Sequence, residues 1–140
     1  MRASTPREGP TARRLPPDCE AFVALHRGHY LGYARLHLPA PAAEEAVGAV
    51  FADLFGGWRD FLSSPNPASH AWALLTSRVR EGAGRPCTVL SPAQYDAYAL
   101  HHLLGYEPAA VATAMGEEED TVRCLLRSPA VRGLLPGERP

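Results

Sequence analysis

Proline and glycine punctuate this chain and divide its apolar residues into a series of separate segments. Pro39 and Pro41, Gly56 and Gly57, Pro65 and Pro67, Gly82 and Gly84, Pro92, Gly105, Gly116 and Pro129 fall between its apolar segments. Proline removes a backbone donor and clashes with the preceding turn, and glycine closes helices at left-handed positions, so each site is an expected boundary. Between the boundaries the apolar residues recur at helical spacing: Phe22, Leu25, Tyr30, Tyr33, Ala34 and Leu38, then Val47, Val50, Phe51, Leu54 and Phe55, then Trp72, Leu75 and Val79. No useful length of strand-like alternation occurs. The expected fold class is all-α, with helices over about 19–38, 42–55, 68–80 and 91–104 and two more on either side of Gly116.

Local chemistry sharpens several ends. Asp18 stands where a first N-cap belongs, and Ser91 followed by Pro92 gives a capping residue with proline at the first helical position. Glu44 and Glu45 are expected in the first turn of the second helix, where the dipole favours acids. Trp58, Phe61 and Leu62 continue the aromatic pattern, and residues 63–67 read as a turn.

The chain has 140 residues, enough for one domain or for two small ones. No apolar run approaches the roughly 18 residues of a membrane span. Arg2, Arg7, Arg13 and Arg14 precede no apolar stretch before Phe22, so no secretory signal is expected and the cytoplasm is the expected location. Cys19, Cys87 and Cys124 are odd in number and widely spaced, which opposes a disulfide framework and a zinc site of paired cysteines. All 14 basic residues are arginine, and lysine and isoleucine are absent, a bias expected of a high-GC, for example actinobacterial, genome.

The net charge of −1 is unevenly spread: residues 1–17 carry +3, residues 18–85 carry −1 and residues 91–135 carry −3. The expected organisation is a disordered basic tail over 1–17, a helical subdomain over 18–85, a linker over 86–90, a second subdomain over 91–135 and a short tail over 136–140.

Catalytic signatures are missing. There is no Ser-His-Asp order, no phosphate-binding glycine loop and no acid pair with an obvious pocket, so no enzyme and no cofactor is expected. His26, His29 and His37 with Cys19 lack a recognised ligand spacing and are read as a partly exposed helix face, not a metal site. Adjacent His101 and His102 are read as boundary residues, and Cys124 as a small packing residue.

Residues 108–127 hold the pattern that bears on function: helix, glycine turn, helix, the anatomy of a helix-turn-helix. Ala112 is small where the helices cross, Gly116 suits the left-handed turn, and Val111, Met115, Val122 and Leu125 supply the shared apolar face. Thr121, Arg123, Cys124 and Arg127 then fall on the outer side of the second helix, from which side chains reach bases and phosphates.

Together with the segments Ala43-Glu44-Glu45-Ala46-Val47, Asn66-Pro67, Ala71-Trp72-Ala73-Leu74-Leu75, Leu90-Ser91-Pro92-Ala93-Gln94 and Gly105-Tyr106-Glu107, this order of blocks resembles the extracytoplasmic-function type of bacterial RNA polymerase sigma factor over about residues 19–135. The resemblance implies that Glu44, Glu45, Val47, Phe51 and Leu54 face core RNA polymerase, and that Arg78, Arg80, Arg85, Thr121, Arg123 and Arg127 face promoter DNA. An anti-sigma factor or other regulatory protein is a further implied partner. Gly48 stands where the family usually has glutamine, and Glu117-Glu118-Glu119-Asp120 where it has small or polar residues. Acids at that place oppose phosphate contact. A sigma-like regulator working only through protein contacts and a dimeric helix-turn-helix repressor are therefore the alternative expectations.

Overall fold

The computed structural model describes residues 16–84 and 89–135, and every regular element among them is helical. The order is α1 (Pro17–His37), α2 (Ala40–Gly56), α3 (Trp58–Leu62), α4 (Pro67–Ala83), α5 (Pro92–Tyr98), a π-helical extension of α5 (Ala99–Leu103), α6 (Pro108–Met115), α7 (Glu119–Arg127) and α8 (Pro129–Arg132). No described helix is long and apolar enough to cross a membrane. The expected basic tail lies outside the described residues except at its last two positions, as do Arg85, Cys87 and the short C-terminal tail.

Several helix ends follow the local rules. Ser91 caps α5 by accepting from the Gln94 amide while the Gln94 side chain accepts from the Ser91 amide, and Pro92 stands in the first turn. Gly105 and Gly116 take positive φ of 84° and 74° after their helices. Two starts differ from expectation. Helix α1 begins at Pro17, one residue before Asp18, so Asp18 is not its cap; its carboxylate accepts instead from the Cys19 amide and from Trp58 Nε1 at 2.9 Å. Helix α2 begins at Ala40 with Pro41 in its first turn, which puts Glu44 and Glu45 beyond that turn.

The apolar stripes of α1, α2 and α4 meet face to face. Tyr30, Tyr33, Val47, Val50, Phe51, Trp72, Leu75 and Val79 are buried there. Leu25, expected on this stripe, is instead 54% exposed. The core does not stop at the linker: Leu90, Ala97, Leu100, Val111, Met115, Val122 and Val131 belong to the same continuous cluster. Polar contacts cross the same seam. Tyr95 Oη and His37 Nε2 lie 3.1 Å apart, and the rings of His29 and Tyr106 meet edge to face at 4.6 Å. Gly32 of α1 also lies at the seam, where a Cβ would make ordinary contact with the Leu104 side chain at 3.4 Å.

Candidate functional site

Three places bear on function: the outer face of α2, the arginines of α4 and α7, and the joint where Gly116 meets the start of α4.

On α2 the structure separates the five expected polymerase-facing residues. Glu44 and Glu45 are exposed, and Glu44 Oε2 pairs with Arg35 Nη2 at 3.1 Å. Val47, Phe51 and Leu54 are core residues, with Phe51 7% exposed and stacked on Tyr30 at 5.6 Å between ring centroids. Their apolar stripe is spent on the chain's own interior. Burying such side chains stabilises by roughly 1.5–3 kcal/mol each, so freeing all three for a partner would cost roughly 5–9 kcal/mol, comparable with a whole domain's stability. They place the helix; they do not form a contact surface.

Most of the arginines expected to face DNA already have acidic partners. Arg78 Nη2 lies 3.1 Å from Asp53 Oδ2, and Arg123 is paired with Glu119 one turn earlier on α7. Arg80 Nη2 stands 3.7 Å from Asp96 Oδ1. Thr121 and Arg127 are exposed, and Arg127 has no ion pair among the described residues. Cys124 is exposed, on the outer side of the helix as its place beside Thr121, Arg123 and Arg127 implied and not packed as its residue type suggested, because Val122 and Leu125 take the inward positions.

Asp96 is the residue that sequence reasoning missed. Only 4% exposed, it accepts from Tyr33 Oη at 2.7 Å and from Trp72 Nε1 at 3.0 Å, and so ties α5 to both α1 and α4. Burial raises its pKa, while the two hydrogen bonds and the Arg80 guanidinium act against that rise. Every neighbour named here is a donor, which suits an acceptor-only carboxylate. A lone acid flanked by Tyr95 and Ala97 carries no sign of this in the sequence; tyrosine and tryptophan donors at helical spacing in α1 and α4 were the available hint.

At the third place, Gly116 follows α6 in the left-handed region and sits against the backbone of α4. A Cβ on it would fall 2.2 Å from the Ser69 nitrogen. Asn66 locks the joint: its Oδ1 accepts from the Ser69 amide, capping α4, and its Nδ2 donates to the Gly116 carbonyl at 2.8 Å. Beside this joint an open cleft of about 490 Å³ is lined by Leu25, His26, Thr113, Glu117 and Glu118 among others. His26 is buried, not on a partly exposed face as expected, and its Nδ1 has no hydrogen-bond partner among the described residues. Burial, and then His29, lower its pKa to about 4, so the ring is neutral near pH 7. No group of three or more histidine, cysteine or acidic residues suited to a metal ion occurs among the described residues.

No family model matches this chain, and neither a curated protein nor a solved structure does.

Proposed function

We propose that this chain is a sigma-factor-like, non-enzymatic transcription protein of the cytoplasm that binds core RNA polymerase and regulates through protein contacts, without reading a promoter. The resemblance in block order supplies the family. The observation that carries the choice within it is the pairing of Arg78, Arg80 and Arg123 with acids of the same chain, because DNA affinity rests mainly on cations left free for phosphates. The shared core supports the same choice. Promoter elements more than one helical turn, roughly 35 Å, apart call for two separated DNA-reading halves, and these halves are packed together.

In this reading α6, Gly116 and α7 form the helix-turn-helix, two sigma-like subdomains meet along the Asp96 seam, and the exposed acids of α2, Glu45 first, face the polymerase. Exposed Thr121 and Arg127 favour the second reading, a working sigma factor that contacts promoter DNA through α7. Pull-down with core polymerase tests the first claim: Glu45→Arg should weaken capture of a folded chain, and undiminished binding by that variant would remove α2 as the docking face. Transcription in vitro from genomic templates separates the two readings. A promoter-specific transcript that depends on Arg127 would establish the sigma factor and overturn the regulator.

A further inference from the structure

The turn between α5 and α6 meets α1 on a histidine. It begins with the π-helical residues Ala99–Leu103, a wide backbone form that recurs at functional sites. Three amides close it: Leu104 donates to the Ala99 carbonyl at 3.0 Å, Gly105 to His101 at 3.1 Å and Tyr106 to Leu100 at 3.0 Å. Gly105 carries the chain round with φ of 84°, and the Tyr106 ring then lies edge to face with His29, 4.6 Å away between centroids. His101 Nδ1 donates to the Tyr106 carbonyl at 2.7 Å. A carbonyl only accepts, so that nitrogen carries a proton whether or not the ring is charged.

Charge acts differently on the two histidines that α1 presents to this seam. His37 Nε2 faces Tyr95 Oη, and a hydroxyl can turn to accept, so a charged His37 keeps its contact, opposed by Arg80 of α4. His29 has no such recourse. Its Nδ1 is buried without a hydrogen-bond partner among the described residues. A neutral ring leaves there an unused acceptor, whereas a protonated ring strands a donor and a charge. Around His29 stand His26 on its own helix, Tyr106 and His101 across the seam, and the exposed Glu107 that follows Tyr106. Helix α6 carries no charged residue, and α2 and α4 meet the neighbouring Tyr30 with uncharged Phe51 and Trp72.

We propose that His29 and Tyr106 form an acid-released latch: protonation of His29 frees Tyr106 and the π turn behind it from α1, while the core shared by α1, α2 and α4 stays closed. Release loosens the entry to α6, and it does not depend on the transcriptional reading above. The sign follows from linkage. Burial holds the His29 pKa below its ordinary 6.5 in the closed form, so the open form takes up the proton first and gains population as pH falls through that range.

The test uses the full chain, with amide hydrogen exchange read by NMR as protection factors near pH 7.5 and near pH 5.5. His26, with its pKa at about 4, stays neutral at both. Protection at Leu104, Gly105 and Tyr106 is expected to fall by about threefold or more on acidification, with no matching fall at Leu75 and Val79 of α4. A His29→Gln variant should show no such fall. Coupling must also run the other way: Tyr106→Ala should move the His29 midpoint, followed on its ring protons, upward toward 6.5. A flat profile in the parent, an equal fall in α4, a fall that persists in His29→Gln, or a His29 midpoint indifferent to Tyr106→Ala each overturns the latch.

Discussion

His26 shows how burial turns an ordinary side chain into a pH-dependent one. Its ring lies 4.3 Å from Phe22 and 5.4 Å from Tyr30 between centroids, and desolvation holds its pKa near 4 against an ordinary 6.5. The unfolded chain therefore takes up a proton between about pH 6.5 and 4 that the folded chain refuses. Stability falls with pH across that window, because the unfolded state binds more protons there. Full expression of the shift corresponds to roughly 3 kcal/mol. His29 and His37 are also lowered by burial and add to the loss, whereas Asp96, whose pKa is raised, contributes with the opposite sign. Both contributions are common to a His26→Phe variant, so the difference isolates His26. Urea unfolding at pH 7 and near pH 4.5 is expected to show a smaller acid loss in the variant than in the parent. Equal losses would remove His26 as a determinant.

At the scale of elements, two glycines of similar conformation separate backbone freedom from close approach. Gly105 has φ of 84° and open space where a Cβ would stand; Gly116 has φ of 74° and the Ser69 backbone there. Gly105→Ala is expected to cost about 1 kcal/mol, the left-handed penalty alone. Gly116→Ala must also push α6 off α4 and is expected to cost about 3 kcal/mol or more in chemical denaturation. Similar losses at the two sites would show that the joint is slack. These glycines were legible in the sequence, as were the Ser91 cap, the all-helical class and the Trp72, Leu75, Val79 face, because each rests on local chemistry or on a 3.6-residue period. The period also marked Val47, Phe51 and Leu54 as an apolar stripe, but it cannot say whether such a stripe is covered by a partner or by the chain itself. Asp18 looked like a cap because the pull of Trp58, forty residues away, leaves no local trace. Asp96 was illegible for the same reason, its partners Tyr33 and Trp72 lying 63 and 24 residues distant.

Across the whole molecule the question is whether the two halves unfold together. One apolar cluster runs through both, and Asp96 anchors the seam with bonds to α1 and α4, so neither half can leave without exposing core and stranding buried donors. A single cooperative transition is expected. Asp96→Asn keeps the shape of the side chain but replaces one acceptor oxygen with an amide NH2, which either confronts the Trp72 or Arg80 donors or obliges the Tyr33 hydroxyl to turn and accept, and it removes the charge opposite Arg80. Leaving buried polar groups unpaired costs about 1–3 kcal/mol each, more where a charge is stranded, so a total loss of about 2–4 kcal/mol is expected. Native-state hydrogen exchange locates that loss. Leu75 and Val79 in α4 and Val111 and Val122 in α6 and α7 are buried and should open with one common free energy in the parent. The variant should lower all four by the same amount, because the seam belongs to both halves. If α6 and α7 open at a markedly lower free energy than α4 in the parent, or if the variant weakens them alone, the seam is a contact between two separately stable subdomains. Reach between separated DNA elements, which the packed arrangement denies, would then be available to this chain.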